Sequence, residues 1–303
     1  MDRADVNVAA IDIGSNSIRL LIVTDSGVEL LRDATVTGLG RGVDATARFR
    51  DDTMDATLDV IRRYSDAIIG YGVSRVGAVA TSASRDASNG ALLMEAIAEM
   101  IGVQPKIIAG DEEAELSFAG ATACAVGEPP YLVIDIGGGS TEFAYGNAQP
   151  ICVDSIDVGS VRVTDRLLPD RPPSAMQRSQ VSAYVDAAFS SVRLPGEPRT
   201  VIGVAGTFTS LAAISLGLDH YDRDVVHGST LSRFGIKALI TVLSGLTVDE
   251  TAAIPSLDPA RAPVILAGAV IADRATLLTG LENITVSERD LLDGLASSLT
   301  LET

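Results

Sequence analysis

The strongest constraint on the fold is that the chain carries one small unit twice. Asp12-Ile13-Gly14-Ser15-Asn16-Ser17 and Asp135-Ile136-Gly137-Gly138-Gly139-Ser140 align at an offset of 123 residues, and each closes an apolar strand. In both copies a second strand follows (Ile18 to Val23; Glu142 to Tyr145), then a third (Val28 to Thr37; Pro150 to Val158). A supersecondary unit repeated at this spacing predicts two like-built domains facing each other across a cleft. Between and after the meanders, helical periodicity returns, at Thr53 to Tyr71 and at Gly110 to Cys124, then at 174 to 192, 232 to 245, 247 to 254 and 259 to 279, with a closing helix from Glu288 to Leu301. The expectation is therefore an α/β protein, each domain a mixed sheet flanked by helices, with domain I at 1–125 and domain II at 126–287. The helix of about 288–303 should pack back on domain I.

The second copy is the richer in chemistry. Three consecutive glycines after a strand let backbone N–H groups converge on one anion, and the expectation is that they do so from left-handed conformations. Asp135 and Glu142 bracket this turn. Carboxylates beside a phosphate repel it unless a cation lies between, which points to Mg²⁺ or Mn²⁺; a solvated hairpin with charged ends is the competing reading. Ala205-Gly206-Thr207 makes a third glycine and hydroxyl turn, opening a helix whose N–H groups would also face an anion.

Charge excludes some partners. At −17, the chain repels nucleic acid and anionic membrane, so an anionic ligand needs a local cationic pocket. Of 23 basic residues only Lys106 and Lys237 are lysines. Arg85 lies at a strand end, with an ion pair to Asp86 as its alternative; Arg41 lies in the loop Gly38 to Asp44, otherwise a mobile connector; and Arg162 lies at a helix start beside the second hairpin, otherwise a surface arginine. Cys124 and Cys152 cannot make a disulfide framework, and His220 and His227 supply neither a zinc site nor a serine–histidine arrangement. A catalytic base is then a carboxylate. Asp111, Glu112, Glu113 and Glu115 crowd one helix start beyond what the helix dipole needs, but spacing alone does not choose among them. The acids at positions 2 and 5 do not resemble a secretory leader, so the expected location is the cytoplasm. The uncharged run Val201 to Leu218 is cut by Gly203 and Gly206 and reads as buried strand and helix.

With these residues in place, the chain resembles the actin, Hsp70 and sugar-kinase superfamily of actin-like (ribonuclease H-like) folds. Within it, the chain resembles the exopolyphosphatase and guanosine pentaphosphate phosphohydrolase (Ppx/GppA) family. The resemblance rests on Asp12 to Arg19, Thr81 to Asn89, Gly110 to Ala114, Asp135 to Glu142, Gly159 to Arg162, Gly203 to Ser210, His227-Gly228 and Leu291 to Leu295. It implies Glu113 as the base that activates water, and Asp135 and Glu142 as the metal pair for Mg²⁺ or Mn²⁺. Ser15, Asn16, Ser17, Arg85, Gly137, Gly138, Gly139 and Ser140 would hold phosphate; Asp12, Arg19, Arg41, Arg162, Gly206 and Thr207 are further candidates. His227 is given a structural hydrogen bond. The implied partner is inorganic polyphosphate or guanosine pentaphosphate, with no nucleic acid and no membrane; a homodimer is left open. The sequence stops after about two actin-like domains, which implies shorter polymers. A non-catalytic polyphosphate or nucleotide sensor and a kinase of the superfamily are the alternatives.

Overall fold

The computed structural model describes residues 6–125 and 127–301, so the acids at positions 2 and 5 and the last two residues of the expected closing helix lie outside it. The first half runs β1 (Asn7–Ile13), β2 (Ser17–Thr24), β3 (Glu29–Val36), α1 (Val43–Thr46), α2 (Asp51–Gly70), β4 (Arg75–Ala80), α3 (Ser82–Asp86), α4 (Gly90–Ile101), β5 (Lys106–Ile107) and α5 (Gly110–Thr122). The second begins with β6 (Tyr131–Ile136), β7 (Thr141–Gly146), β8 (Pro150–Ile156), α6 (Ser160–Leu167), α7 (Ala175–Phe189), β9 (Thr200–Val204) and α8 (Ala205–Ser215). It continues with α9 (Arg223–Val226), β10 (Thr230–Ser232), α10 (Arg233–Leu243), α11 (Val248–Ala252), a 3-10 turn (Pro259–Arg261), α12 (Ile265–Thr279), β11 (Asn283–Val286) and α13 (Leu291–Leu301).

Both meanders form. The first sheet has the order β3-β2-β1-β4-β5 and the second β10-β11-β9-β6-β7-β8, each mixing an antiparallel meander with parallel crossovers. β1 and β6 read as apolar runs because they are central strands, buried on both faces. Their parallel neighbours β4 and β9 end on the same side. The carboxyl ends of four strands and their loops therefore gather where the two halves meet, the usual place for a ligand in such sheets.

Three local expectations change. Ser82–Asp86, read as loop, is a short helix. The stretch 259 to 279 is broken after its first turn, where Pro263 has no N–H to donate and α12 restarts at Ile265. β10 lies where the helix at 232 was expected to begin; only its pairing with distant β11 (Thr230↔Thr285) makes it a strand. Val201 to Leu218 is β9 and α8, and among the described residues no helix is long and apolar enough to cross a membrane.

Two helices join the halves. α5 lays Ala114, Phe118 and Ala121 on Val133, Ala144, Ile202 and Val204 of the second sheet. α13 lays Leu291, Leu292, Leu295 and Ala296 on Val8, Ala10, Leu21, Val23 and Val79 of the first. The two cross in backbone contact: a Cβ on Gly120 would stand 1.9 Å from the Asp290 carbonyl oxygen, and one on Gly294 2.1 Å from that of Leu116. Only glycine allows so close a crossing.

Candidate active site

The two Asp-Ile-Gly turns have the same internal geometry. Gly14 N–H donates to the Ser17 carbonyl and Gly137 N–H to that of Ser140, each at 3.1 Å. Among the described residues, the N–H groups of Ser15, Asn16, Gly138 and Gly139 donate to no protein acceptor, which leaves them for an anion. The turns also touch. A Cβ on Gly138 would meet Ser15 Cβ at 3.0 Å, and one on Gly139 would meet Ser82 Oγ at 2.5 Å. This corrects the reason for the glycines: none of Gly137, Gly138 and Gly139 has a positive φ, and Gly138 and Gly139 are required by the close approach of the other half.

Strand register decides the next layer. Asp12 stands directly opposite Arg19, and the equivalent pair in the second half is Asp135 opposite Glu142. The first is an ion pair at 2.7 Å, with Arg19 also gripped by Asp290. The second sets two carboxylates against each other, which costs stability in a sheet. Ser117 Oγ donates to Asp135 Oδ2 at 2.6 Å and Ser155 Oγ to Glu142 Oε1 at 2.7 Å, fixing both rotamers. Burial pushes the Asp135 carboxyl up to about 6, with Asp290 adding to the shift. Burial also raises Glu142 well above the usual range, helped by Glu113 and Asp135. Asp12 is raised by burial against the pull of Arg19.

Glu113 enters from the first turn of α5, buried at 7% exposure. Of the acids at that helix start it alone lines the cavity; Glu112 is outside, paired with Lys106. Arg85 Nη1 donates to Glu113 Oε2 at 2.9 Å and to the Ile108 carbonyl at 2.8 Å. Burial lifts the Glu113 carboxyl to about 8; Arg85 opposes the lift, and Asp135 and Asp12 add to it. Arg85 thus holds the acid and does not itself line the cavity.

These groups open into a cavity of about 660 Å³ between the halves. Asp12, Ser15, Asn16, Ser17, Arg19, Glu113, Asp135, Gly137, Gly138, Gly139, Ser140, Gly206 and Thr207 all line it. Glu142 sits behind Asp135, Arg41 lies against Gly38, and neither reaches the cavity. Arg162 is elsewhere too: it pairs with Asp44 at 2.7 Å and Asp86 at 2.5 Å and donates to the Gly139 carbonyl at 2.8 Å, clasping the halves behind the turns. His227 takes a structural role, its Nδ1 accepting from Glu288 N–H at 3.2 Å.

Sequence reasoning missed Arg261. It follows the proline turn at Asp258 and lies on Gly206, where a Cβ would stand 1.9 Å from its Nη1. Its Nη2 is 3.4 Å from Ser17 Oγ of the other half. Among the described residues it has no ion-pair partner, and burial lowers its proton affinity. Asp290, beside the quoted stretch Leu291 to Leu295, was missed as well. Ala205, at φ 64, holds a left-handed backbone on the cavity wall, a strain of roughly 1–3 kcal/mol of the kind found at functional sites.

Among the described residues there is no cluster of three or more His, Cys, Asp or Glu that would cage a metal by itself. Magnesium does not require one, since it keeps several waters and binds through one or two carboxylates and substrate phosphate. Asp12 Oδ1 and Glu142 Oε2 are buried without a partner, and the repulsion among Asp135, Glu142 and Glu113 is what a divalent cation would relieve. The residues fit such an ion.

The profile of the Ppx/GppA phosphatase family matches residues 21–303. Exopolyphosphatase 2 of Mycobacterium tuberculosis is 36% identical over 318 residues, covering 96% of this chain and 98% of that one. An exopolyphosphatase-like protein of known crystal structure superposes with a TM-score of 0.92 at 35% identity, over 98% of both chains. The Aquifex aeolicus PPX-GPPA enzyme superposes at 0.81 with 30% identity, over 97% of this chain and 99% of that one. The fold, two mixed sheets flanked by helices, is thus one these relatives share, and the chain belongs to the Ppx/GppA phosphatase family.

Proposed function

We propose that the protein is an exopolyphosphatase, removing the terminal phosphate of inorganic polyphosphate with Glu113 as the base. The observation that carries this is Glu113 itself: a buried carboxylate with one oxygen fixed by Arg85, at the cavity where two phosphate turns meet. The free N–H groups of Ser15, Asn16, Gly138 and Gly139 hold the terminal phosphoryl oxygens, and Arg19 and Arg261 offset their charge. Glu113 orients a water in line with the bond to be broken and takes its proton as the oxygen attacks phosphorus. The phosphoanhydride P–O bond breaks, and the shortened chain leaves as a stabilised anion. A general base placed in this way contributes on the order of 10²–10⁴-fold. Asp135, with Glu142 behind it, would hold Mg²⁺ or Mn²⁺, which when bound would supply neutralisation of phosphoryl charge.

Replacing Glu113 by Gln should cut phosphate release from polyphosphate by about 10³-fold while polyphosphate still binds; undiminished turnover would refute the assignment. A second reading, hydrolysis of the 5′ terminal phosphate of guanosine pentaphosphate, is favoured by the uncharged surface of Tyr221, Pro255 and Leu257 in the same cavity, which suits a nucleoside. Phosphate release from the two substrates by the same preparation, compared as kcat/KM, ranks them.

A further inference from the structure

Away from the phosphate turns, the cavity ends in a row of side chains that crosses from one half to the other. Glu29, at the start of β3, accepts from Arg32 Nε at 3.1 Å through one carboxylate oxygen and from Arg223 Nη1 at 2.7 Å through the other. Arg32 belongs to the same strand, whereas Arg223 opens α9 in the second half. Arg223 Nε also lies 3.5 Å from Glu288, whose other oxygen accepts the Tyr221 hydroxyl. All five residues line the cavity. From Val36, opposite Ser17, to Glu29, opposite Val23, the strand spans about 20 Å.

The charges along this row cancel. Arg32 is shared between Glu29 and Asp293, the latter at 2.6 Å, and Arg223 between Glu29 and Glu288. Although burial works against its charge, Glu29 is held below the usual carboxylate range by Arg32 and Arg223, so it is ionised. The contrast with the other end is direct: Arg261 faces the turns with no carboxylate partner, while Arg32 and Arg223 are each already paired with two carboxylates. A polyanion reaching this far meets closed side chains and no spare cation.

We propose that the Glu29–Arg223 bridge is an end wall restricting this cleft to short linear phosphoanhydrides, with Glu29 as the residue that sets the limit; this deepens the hydrolase reading above and rests on it. Neutralising Glu29 opens the bridge and frees the donors it held, Arg32 Nε and Arg223 Nη1, while Asp293 and Glu288 keep the two guanidiniums at the wall; charge-assisted bonds to phosphate then replace those to Glu29.

The test compares full-length wild type with Glu29→Gln, measuring phosphate release from tripolyphosphate and from long-chain polyphosphate with Mg²⁺. The long-to-short ratio of kcat/KM should rise on the order of tenfold in the variant, the effect of about one freed arginine–phosphate contact. An unchanged ratio, or an equal fall on both substrates, overturns the end wall. If the variant melts below wild type, the ratio is read at a temperature where both are fully folded; Arg223→Gln, which removes a guanidinium and leaves Glu29 charged, must not raise it. Wild type releasing no phosphate from either substrate would remove the hydrolase reading itself, an outcome distinct from an unmoved ratio.

Discussion

The crossing of α5 and α13 should be as critical to activity as the cleft itself, and Gly120→Ala tests this. The added Cβ would stand 1.9 Å from the Asp290 carbonyl oxygen, a backbone atom that cannot swing aside. An ordinary carbon–oxygen contact needs about 3.3 Å, so the helices must part by roughly 1.4 Å. Overpacking of this kind costs about 1–3 kcal/mol, a fall in melting temperature of roughly 5 °C for a chain of this length. The second consequence is chemical. The Asp290 carboxylate holds Arg19, and Arg19 holds Asp12 at the first Asp-Ile-Gly turn. A shift of about 1 Å in such a set can cost on the order of 100-fold in rate. Phosphate release at a temperature where the variant is fully folded separates the two effects. Gly70→Ala is the control: its added Cβ meets nothing within 4 Å, and at the end of α2 it should stabilise by about 0.5–1 kcal/mol without touching turnover. A Gly120→Ala protein with wild-type melting and wild-type turnover would refute the reasoning.

Two further outcomes follow from the site. Glu113 and Asp135 have folded-state proton affinities raised above their ordinary values of 4.5 and 3.8, to about 8 and about 6. The folded protein therefore binds protons that the unfolded chain has released, so stability is complete below the ordinary values and declines as pH rises through about 6 and about 8. In metal-free buffer the melting temperature should fall across this window, less steeply in Glu113→Gln and less steeply with Mg²⁺; a flat profile would contradict the buried carboxylate cluster. Arg261→Met keeps bulk on Gly206 but loses the charge, and should lower kcat/KM by roughly 10–100-fold, the value of a charge-assisted bond to phosphate. An unchanged kcat/KM would show that Arg261 does not touch the substrate.

What was legible in the sequence was whatever a short window encodes. The paired turns announce themselves because each needs an apolar central strand and glycines within a few residues, helix α2 because its apolar spacing is local, and α5 because acids crowd its first turn. What was not legible depends on register and on contacts between the halves. Nothing local distinguishes Arg19, matched to an acid across its strand, from Glu142, which occupies the equivalent place in the second unit facing another acid. Arg162 stood out beside a turn and Arg261 did not; only the folded chain gives the first to Asp44 and Asp86 and brings the second to the cavity without a carboxylate. The glycines of the second turn were visible, but their reason was not, because the atoms that crowd Gly138 and Gly139 come from Ser15 and Ser82.

The placement of α13 also bears on how the chain is made. The face of the first sheet formed by Val8, Ala10, Leu21, Val23 and Val79 is covered by Leu291, Leu292, Leu295 and Ala296. Those strands leave the ribosome well before their cover does, at roughly 5–20 residues per second. For most of synthesis the early sheet is a half-finished layer with bare apolar strands, and it can be completed only after the second unit has been built. The nascent chain is thus most exposed to aggregation before α13 emerges. A ribosome stalled just short of that helix would hold a chain with both phosphate turns synthesised and the first unit still open.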